Sequence, residues 1–231
     1  MNPSLRHSLL VFSAIIIAGA MVAGSIVWTR SARAVAENAP PTVPIVNIDD
    51  VSLDGVPFVG DPAAPAVMAY WYDYQCPFCR EVELKVMPQL MDNYVKTGKL
   101  RIYFKDFQFL GSDSFVAGLA SRAVWEVAPE KFYDWHSAMF EKQDRENGGW
   151  GDADDIIALT KTIAGIDVAQ VENLTSTRAD EYQRAMEADL QEASGMGING
   201  TPGTIAGTQL LSGAVPYARF RAAIDAALAS Q

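Results

Sequence analysis

The chain has 231 residues, of which 49% are hydrophobic and 20% charged, the balance of a globular protein and not of a disordered one. Its formal net charge of −10 argues against the basic face that nucleic acid or an anionic membrane surface would require. The chain has only two cysteines, Cys76 and Cys79. A fold held by disulfides spreads several along the chain, and a loop this short would restrict the unfolded state very little.

Leu9 to Trp28 is an uncharged run of 20 residues, which as a helix would rise about 30 Å, the thickness of a bilayer core. Arg6 precedes it and Ala32-Arg33-Ala34 follows as a small-x-small cleavage site. Residues 1–33 therefore read as an export signal or a retained membrane anchor. Arg30 and Arg33 outnumber Arg6 across the run, which the positive-inside rule disfavours for an exported domain. The signal-like layout and a CxxC without other thiols nevertheless point to an extracytoplasmic location. Residues 34–50 are Pro-rich and aperiodic, the signature of a linker, and the folded domain is expected at 51–231.

Gly60-Asp61-Pro62-Ala63-Ala64-Pro65 is turn punctuation. The apolar run Ala66–Tyr72 predicts a buried strand. A helix is expected to follow, with Cys76 or its neighbour at the cap and Pro77 in the first turn, where a missing N–H costs nothing. Val82, Val86, Leu90 and Tyr94 continue it at helical spacing, with a kink at Pro88 and an end at Gly98. Leu100–Phe107 predicts a second strand. Residues 112–194 are helical in pattern, about Phe115–Glu126, Lys131–Glu141, Ala153–Ala164 and Val168–Ala193, the last in one piece or two. A turn-rich loop through Thr201-Pro202-Gly203 leads to short strands near Thr204–Ala206 and Gln209–Leu211. Tyr217–Ala229 closes the chain as an amphipathic helix. The order predicts an α/β layer architecture with an all-helical insertion.

Thiol exchange needs a thiolate, an accessible sulfur and a second thiol to resolve the mixed disulfide. A CxxC at a helix start supplies them, because unpaired N–H groups and the helix dipole favour the thiolate. Cys76, at the cap, is placed to attack, and Cys79, one turn inward, to resolve. Two blander readings stand beside this one. A zinc site wants four ligands, and His7 and His136 are the only histidines available to add to the pair. Two inert buried cysteines behaving as small hydrophobes are the other. Tyr70, Trp71, Tyr72, Phe104, Phe107 and Phe109 are expected in the core, and His136 as a partly buried structural residue. Asp152, Asp154 and Asp155 read as an acidic helix start, not a metal site.

Asp73-Tyr74-Gln75-Cys76-Pro77-Phe78-Cys79 after a buried strand, with Gly200-Thr201-Pro202 far downstream, resembles the DsbA-like family of the thioredoxin superfamily, and membrane-anchored members of the BdbD type in particular. The resemblance covers Val51 to the C-terminus. It implies a thioredoxin fold with an inserted helical domain, behind an N-terminal hydrophobic helix, and a protein disulfide oxidoreductase needing no cofactor beyond its Cys76–Cys79 pair. It also implies Cys76 as nucleophile, Cys79 as resolving thiol and Pro77-Phe78 as the active-site dipeptide. Pro202 would be cis, and Thr201 would offer backbone groups to an extended substrate. Exported polypeptides and a membrane redox partner are the implied partners. Two positions depart from the pattern. Family members often hold a buried Glu six residues before the first cysteine, where this chain has Tyr70. Phe78 replaces the His of the strongest oxidases, which implies a less stabilised thiolate and a milder oxidant. A reductase or isomerase, or a non-enzymatic chaperone or metal carrier, would also use such a pair.

Overall fold

Five strands form one mixed sheet in the computed structural model, which describes residues 46–230. They are β1 (Phe58–Val59), β2 (Ala66–Tyr72), β3 (Leu100–Asp106), β4 (Gly203–Ala206) and β5 (Gln209–Ser212). Their order across the sheet is β1-β3-β2-β4-β5. β2 and β3 run parallel, with Ala66 opposite Leu100 through to Tyr72 opposite Asp106, and the other pairs are antiparallel. The Leu9–Trp28 run and most of the expected linker lie outside the described residues. Among the described residues no helix is long and apolar enough to cross a membrane.

β2 lacks a polar face because both of its faces are covered. Met68, Tyr70 and Tyr72 join Ile102 and Phe104 in the larger core, whereas Ala69 and Trp71 point the other way, towards Ile205, Ala193 and Ile198. Gly60 sits at φ 110°, and a Cβ there would come within 2.5 Å of the Leu100 carbonyl oxygen. Only glycine lets the β1–β2 turn lie this close to β3.

The helices are α1 (Pro77–Lys85), α2 (Met87–Leu90), α3 (Ser112–Val127), α4 (Phe132–Lys142), α5 (Ala153–Thr160), α6 (Val168–Thr177), α7 (Ala179–Gly195) and α8 (Tyr217–Ala229). At Pro88 the expected kink is a full break: α1 stops, α2 lasts one turn, and Met91–Val95 continues as a π-helical turn. Pro88 has no N–H to give, and its ring crowds the carbonyl one turn back. Helices α3 to α7 all fall between β3 and β4. Asp152 caps α5 by accepting from the Asp155 N–H at 2.9 Å, and Asp167 caps α6 through Gln170 at 3.1 Å.

Helix α7 is tied to β3 by buried charge. Arg122 of α3 reaches Asp106 and Asp189, each at 2.7 Å, and Asp189 also pairs with the buried Lys105. The Trp71 indole N–H donates to the Asp189 carbonyl at 3.1 Å. The folded body also begins earlier than residue 51. Val46 is buried, Ile48–Asp50 forms a 3₁₀ turn, and the Ile48 N–H donates to the Gly207 carbonyl at 2.8 Å. Val46 and Val51 are apolar side chains that complete the Trp71–Ile205 patch. Pro-rich composition alone had assigned this segment to the linker.

Candidate active site

The site forms where β2 runs into α1. Cys76 is the N-cap residue, with extended backbone, and Pro77 takes the first helical position. The Cys76 N–H is satisfied by the Asp73 carbonyl at 3.1 Å, so Pro77 opens the helix without orphaning a donor. The Asp73 carboxylate is buried and accepts from the N–H groups of Gln75 at 2.8 Å, Phe109 at 2.8 Å and Leu110 at 3.0 Å. Burial raises its pKa, against the pull of those donors. Asp73 thus fixes the end of β2 to the loop after β3. The same loop carries Phe109 outward, 52% exposed, so this aromatic is not in the core where it was expected. Tyr70, Trp71, Tyr72, Phe104 and Phe107 are buried.

Cys76 and Cys79 are free thiols in hydrogen-bonding reach of one another. Across from them the Thr201–Pro202 peptide is cis, and the Cys76 thiol lies 3.4 Å from the Thr201 carbonyl oxygen, to which it donates. Thr201 Oγ1 is buried beside it without a partner among the described residues. Of the site residues read from the sequence, Cys76, Cys79, Thr201 and Pro202 come together here. Phe78 points outward from the turn between the cysteines, 60% exposed. The sulfur of Cys76 is less open than expected. The residue is 4% exposed, because the Thr201 loop lies against it.

The two thiols are driven apart in acidity. The hydrogen bond from Cys79 lowers the Cys76 pKa to about 6, helped by Thr201 and by the Cys79 and Phe78 backbone N–H groups at the helix start, and opposed by burial. At pH 7 that leaves roughly 90% of Cys76 as thiolate. Cys79 has no exposure, and burial pushes its pKa well above that of a free thiol. One sulfur is therefore an anion at neutral pH, and the other holds a proton behind it.

Several residues that hold this arrangement escaped the sequence reading. Gln143, just beyond α4, donates to the carbonyls of both Tyr74 and Cys76, and Gln75 reaches Asn147 and Trp150 in the next loop. His136 is wholly buried, not partly, with Nδ1 2.8 Å from the Tyr74 hydroxyl and Nε2 3.1 Å from Glu83 Oε1. Among these, Glu83 left a signal: it follows Cys79 by one helical turn, a charged residue on the face of α1 that Val82 and Val86 bury.

The model of the thioredoxin family described as "Thioredoxin" matches residues 52–226. Disulfide bond formation protein D of Bacillus subtilis is 25% identical over 174 residues, covering 75% of this chain and 78% of that protein. The crystal structure of oxidised BdbD from Bacillus subtilis superposes with a TM-score of 0.71 at 26% identity, over 81% of this chain and 98% of that one. The thiol-disulfide exchange protein alpha-DsbA2 from Wolbachia pipientis gives a TM-score of 0.67 at 24% identity, over 78% and 89%. The sheet with its inserted helices is the thioredoxin fold of these proteins. The chain belongs to the thioredoxin family and is a DsbA-like thiol–disulfide oxidoreductase of that superfamily.

Proposed function

We propose that this protein introduces disulfides into exported proteins through Cys76-Pro77-Phe78-Cys79. The observation that carries this reading is the split between the two thiols: Cys76 with a pKa of about 6 at the helix cap beside Thr201, Cys79 buried and held protonated behind it. A client thiolate attacks Cys76 Sγ of the oxidised pair and Cys79 leaves. A second client thiolate then attacks the client sulfur and expels Cys76. An acidic thiol is a good leaving group, and stabilising the reduced form makes the pair an oxidant. Backbone groups at Thr201 would align the client as an extended strand. The name of the Bacillus subtilis relative, a disulfide bond formation protein, supports the oxidative direction.

Leu9–Trp28, as export signal or anchor, would place the domain outside the cytoplasm, where disulfides persist. Two electrons arrive with each client oxidised, so a membrane redox partner must remove them. No cofactor beyond the cysteine pair enters the exchange. The test is the reduction potential, set against glutathione. With Phe78 in the motif it should lie below the roughly −120 mV of the strongest oxidases and above the roughly −270 mV of thioredoxin. A value below that of thioredoxin would mean a reductase. Cys79→Ser should trap newly exported proteins on Cys76. A trap that captures none of them, in a folded variant, would remove the exported clients.

A further inference from the structure

Three features meet at the Cys76 sulfur. The residue is 4% exposed, because the Thr201 loop lies against it. The Thr201 hydroxyl oxygen is buried and has no hydrogen-bond partner of normal geometry among the described residues, although it lies close enough to act on both sulfurs. Cys79, without exposure, holds its proton within hydrogen-bonding reach of Cys76.

Reach decides what such a sulfur can meet. A disulfide must bring its S–S bond into line with the attacking sulfur, so a peptide disulfide has to displace the Thr201 loop. Two oxygen atoms do not. An open groove of about 370 Å³ runs along Ile198, Asn199, Gly200, Thr201, Pro202 and Ser212 and brings solvent to the Thr201 side of the pair. A buried hydroxyl left unpaired is costly, and valine would have nearly the same shape without that cost. Beside an ionised sulfur this hydroxyl can donate to the thiolate, or to an oxygen that gathers charge as it leaves.

We propose that the reduced pair also reduces hydrogen peroxide: Cys76 attacks it, Thr201 Oγ1 donates to the departing oxygen, and Cys79 resolves the product. The Cys76 thiolate attacks one peroxide oxygen, and the S–O bond forms as the O–O bond breaks. The electron pair of that bond leaves on the other oxygen as hydroxide, which takes a proton from solvent. Cys76 is then a sulfenic acid. Cys79 Sγ attacks Cys76 Sγ, and the proton of Cys79 goes to the oxygen it displaces. Two thiols and one hydrogen peroxide thus give the Cys76–Cys79 disulfide and two waters. Burial shields Cys79 from the oxidant, and its nearness captures the sulfenic acid before a second peroxide oxidises it further. Electrons that clients leave on the cysteines then have a second way out besides a membrane partner.

The test mixes reduced protein with hydrogen peroxide, quenches with an alkylating reagent and reads the products by mass spectrometry. One equivalent should convert both thiols to the disulfide. The rate per thiolate should exceed that of N-acetylcysteine by about tenfold or more, the effect of one donor to a developing charge. A more acidic thiol is intrinsically the weaker nucleophile, so the excess comes from the site. In Cys79→Ser the Cys76 sulfenic acid should accumulate and be captured by dimedone. At pH 9, with Cys76 ionised throughout, Thr201→Val should lose about tenfold or more of the peroxide rate. Its alkylation by iodoacetamide should stay within about threefold, because the thiolate itself is still present. Thr201→Ser keeps the donor and should keep the peroxide rate. A rate per thiolate short of the margin over N-acetylcysteine, or a folded Thr201→Val with the full peroxide rate, would overturn the proposal. The first comparison needs no variant and stands if Thr201→Val does not fold. Glutathione disulfide, run in parallel, separates this inference from the exchange reading. Protein oxidised by it and not by peroxide keeps the exchange and loses the peroxide reaction; protein oxidised by neither loses both.

Discussion

The side-chain amide of Gln143 donates to two carbonyls of the active-site turn at once, 2.6 Å to Tyr74 and 3.1 Å to Cys76. Those two carbonyls bracket the point where β2 becomes α1, and nothing else described donates to them from the helical insertion. The insertion thus sets the conformation of the cysteine loop.

Gln143→Leu keeps the volume and removes both donors. The buried Tyr74 carbonyl would then be unpaired, at about 1–3 kcal/mol, while the Cys76 carbonyl keeps the Arg80 N–H at 3.1 Å. Stability measured by urea unfolding should fall by about 1–3 kcal/mol. The Cys76 pKa, followed by alkylation, should rise as the loop loosens. An unchanged pKa would show that the loop holds its shape without this clamp.

Thr201 Oγ1 sits unpaired beside a sulfur that is ionised at neutral pH. In the thiolate state the hydroxyl has an acceptor. Thr201→Val removes that donor and should raise the alkylation midpoint of Cys76 from about 6 by about one unit, worth roughly 1.4 kcal/mol. The sign is that of a depressed acid: the thiolate and its stabilisation are present above the unfolded pKa and are lost as pH falls through about 6. Alkylation rates should therefore be flat above about pH 7 and fall tenfold per unit below pH 5. A midpoint near that of a free thiol would contradict the geometry around Cys76.

Asp189 gathers Lys105, Arg122 and the Asp106 N–H around one buried carboxylate. Asp189→Ala leaves two buried cations short of a partner, and breaking such a pair costs about 3–5 kcal/mol. Chemical denaturation should show that loss. The Lys105→Met and Asp189→Leu double variant, which removes charge of both signs, should lose clearly less. If the double variant is the weaker, the cluster contributes more than the pairing of its charges.

Local pattern carried much of this fold. Ala66–Tyr72 read as a doubly covered strand because no polar residue interrupts it, and Tyr217–Ala229 because its apolar positions recur at helical spacing. β1 was invisible: two residues, Phe58 and Val59, carry no period, and their strand exists only because β3 offers an edge. The cysteine pair and the Thr201-Pro202 loop were legible from residue type alone. Their neighbours were not. Gln143, Asn147 and His136 reach the site from an insertion whose docking no local pattern encodes. The outward turn of Phe109 follows from two N–H groups captured by Asp73, a contact across the chain that hydrophobicity does not anticipate.

The insertion grips the molecule at both ends, through Gln143 at the cysteine loop and through Asp189 beneath β3. An engineer trimming helices α3 to α7 to obtain a smaller enzyme would strand Lys105 and free the turn at Tyr74 in the same cut. Miniaturising this oxidoreductase therefore means rebuilding both anchorages first. Conversely, a graft of Cys-Pro-Phe-Cys onto a bare sheet-and-helix scaffold would reproduce the letters of the motif without the Gln143 clamp on its turn.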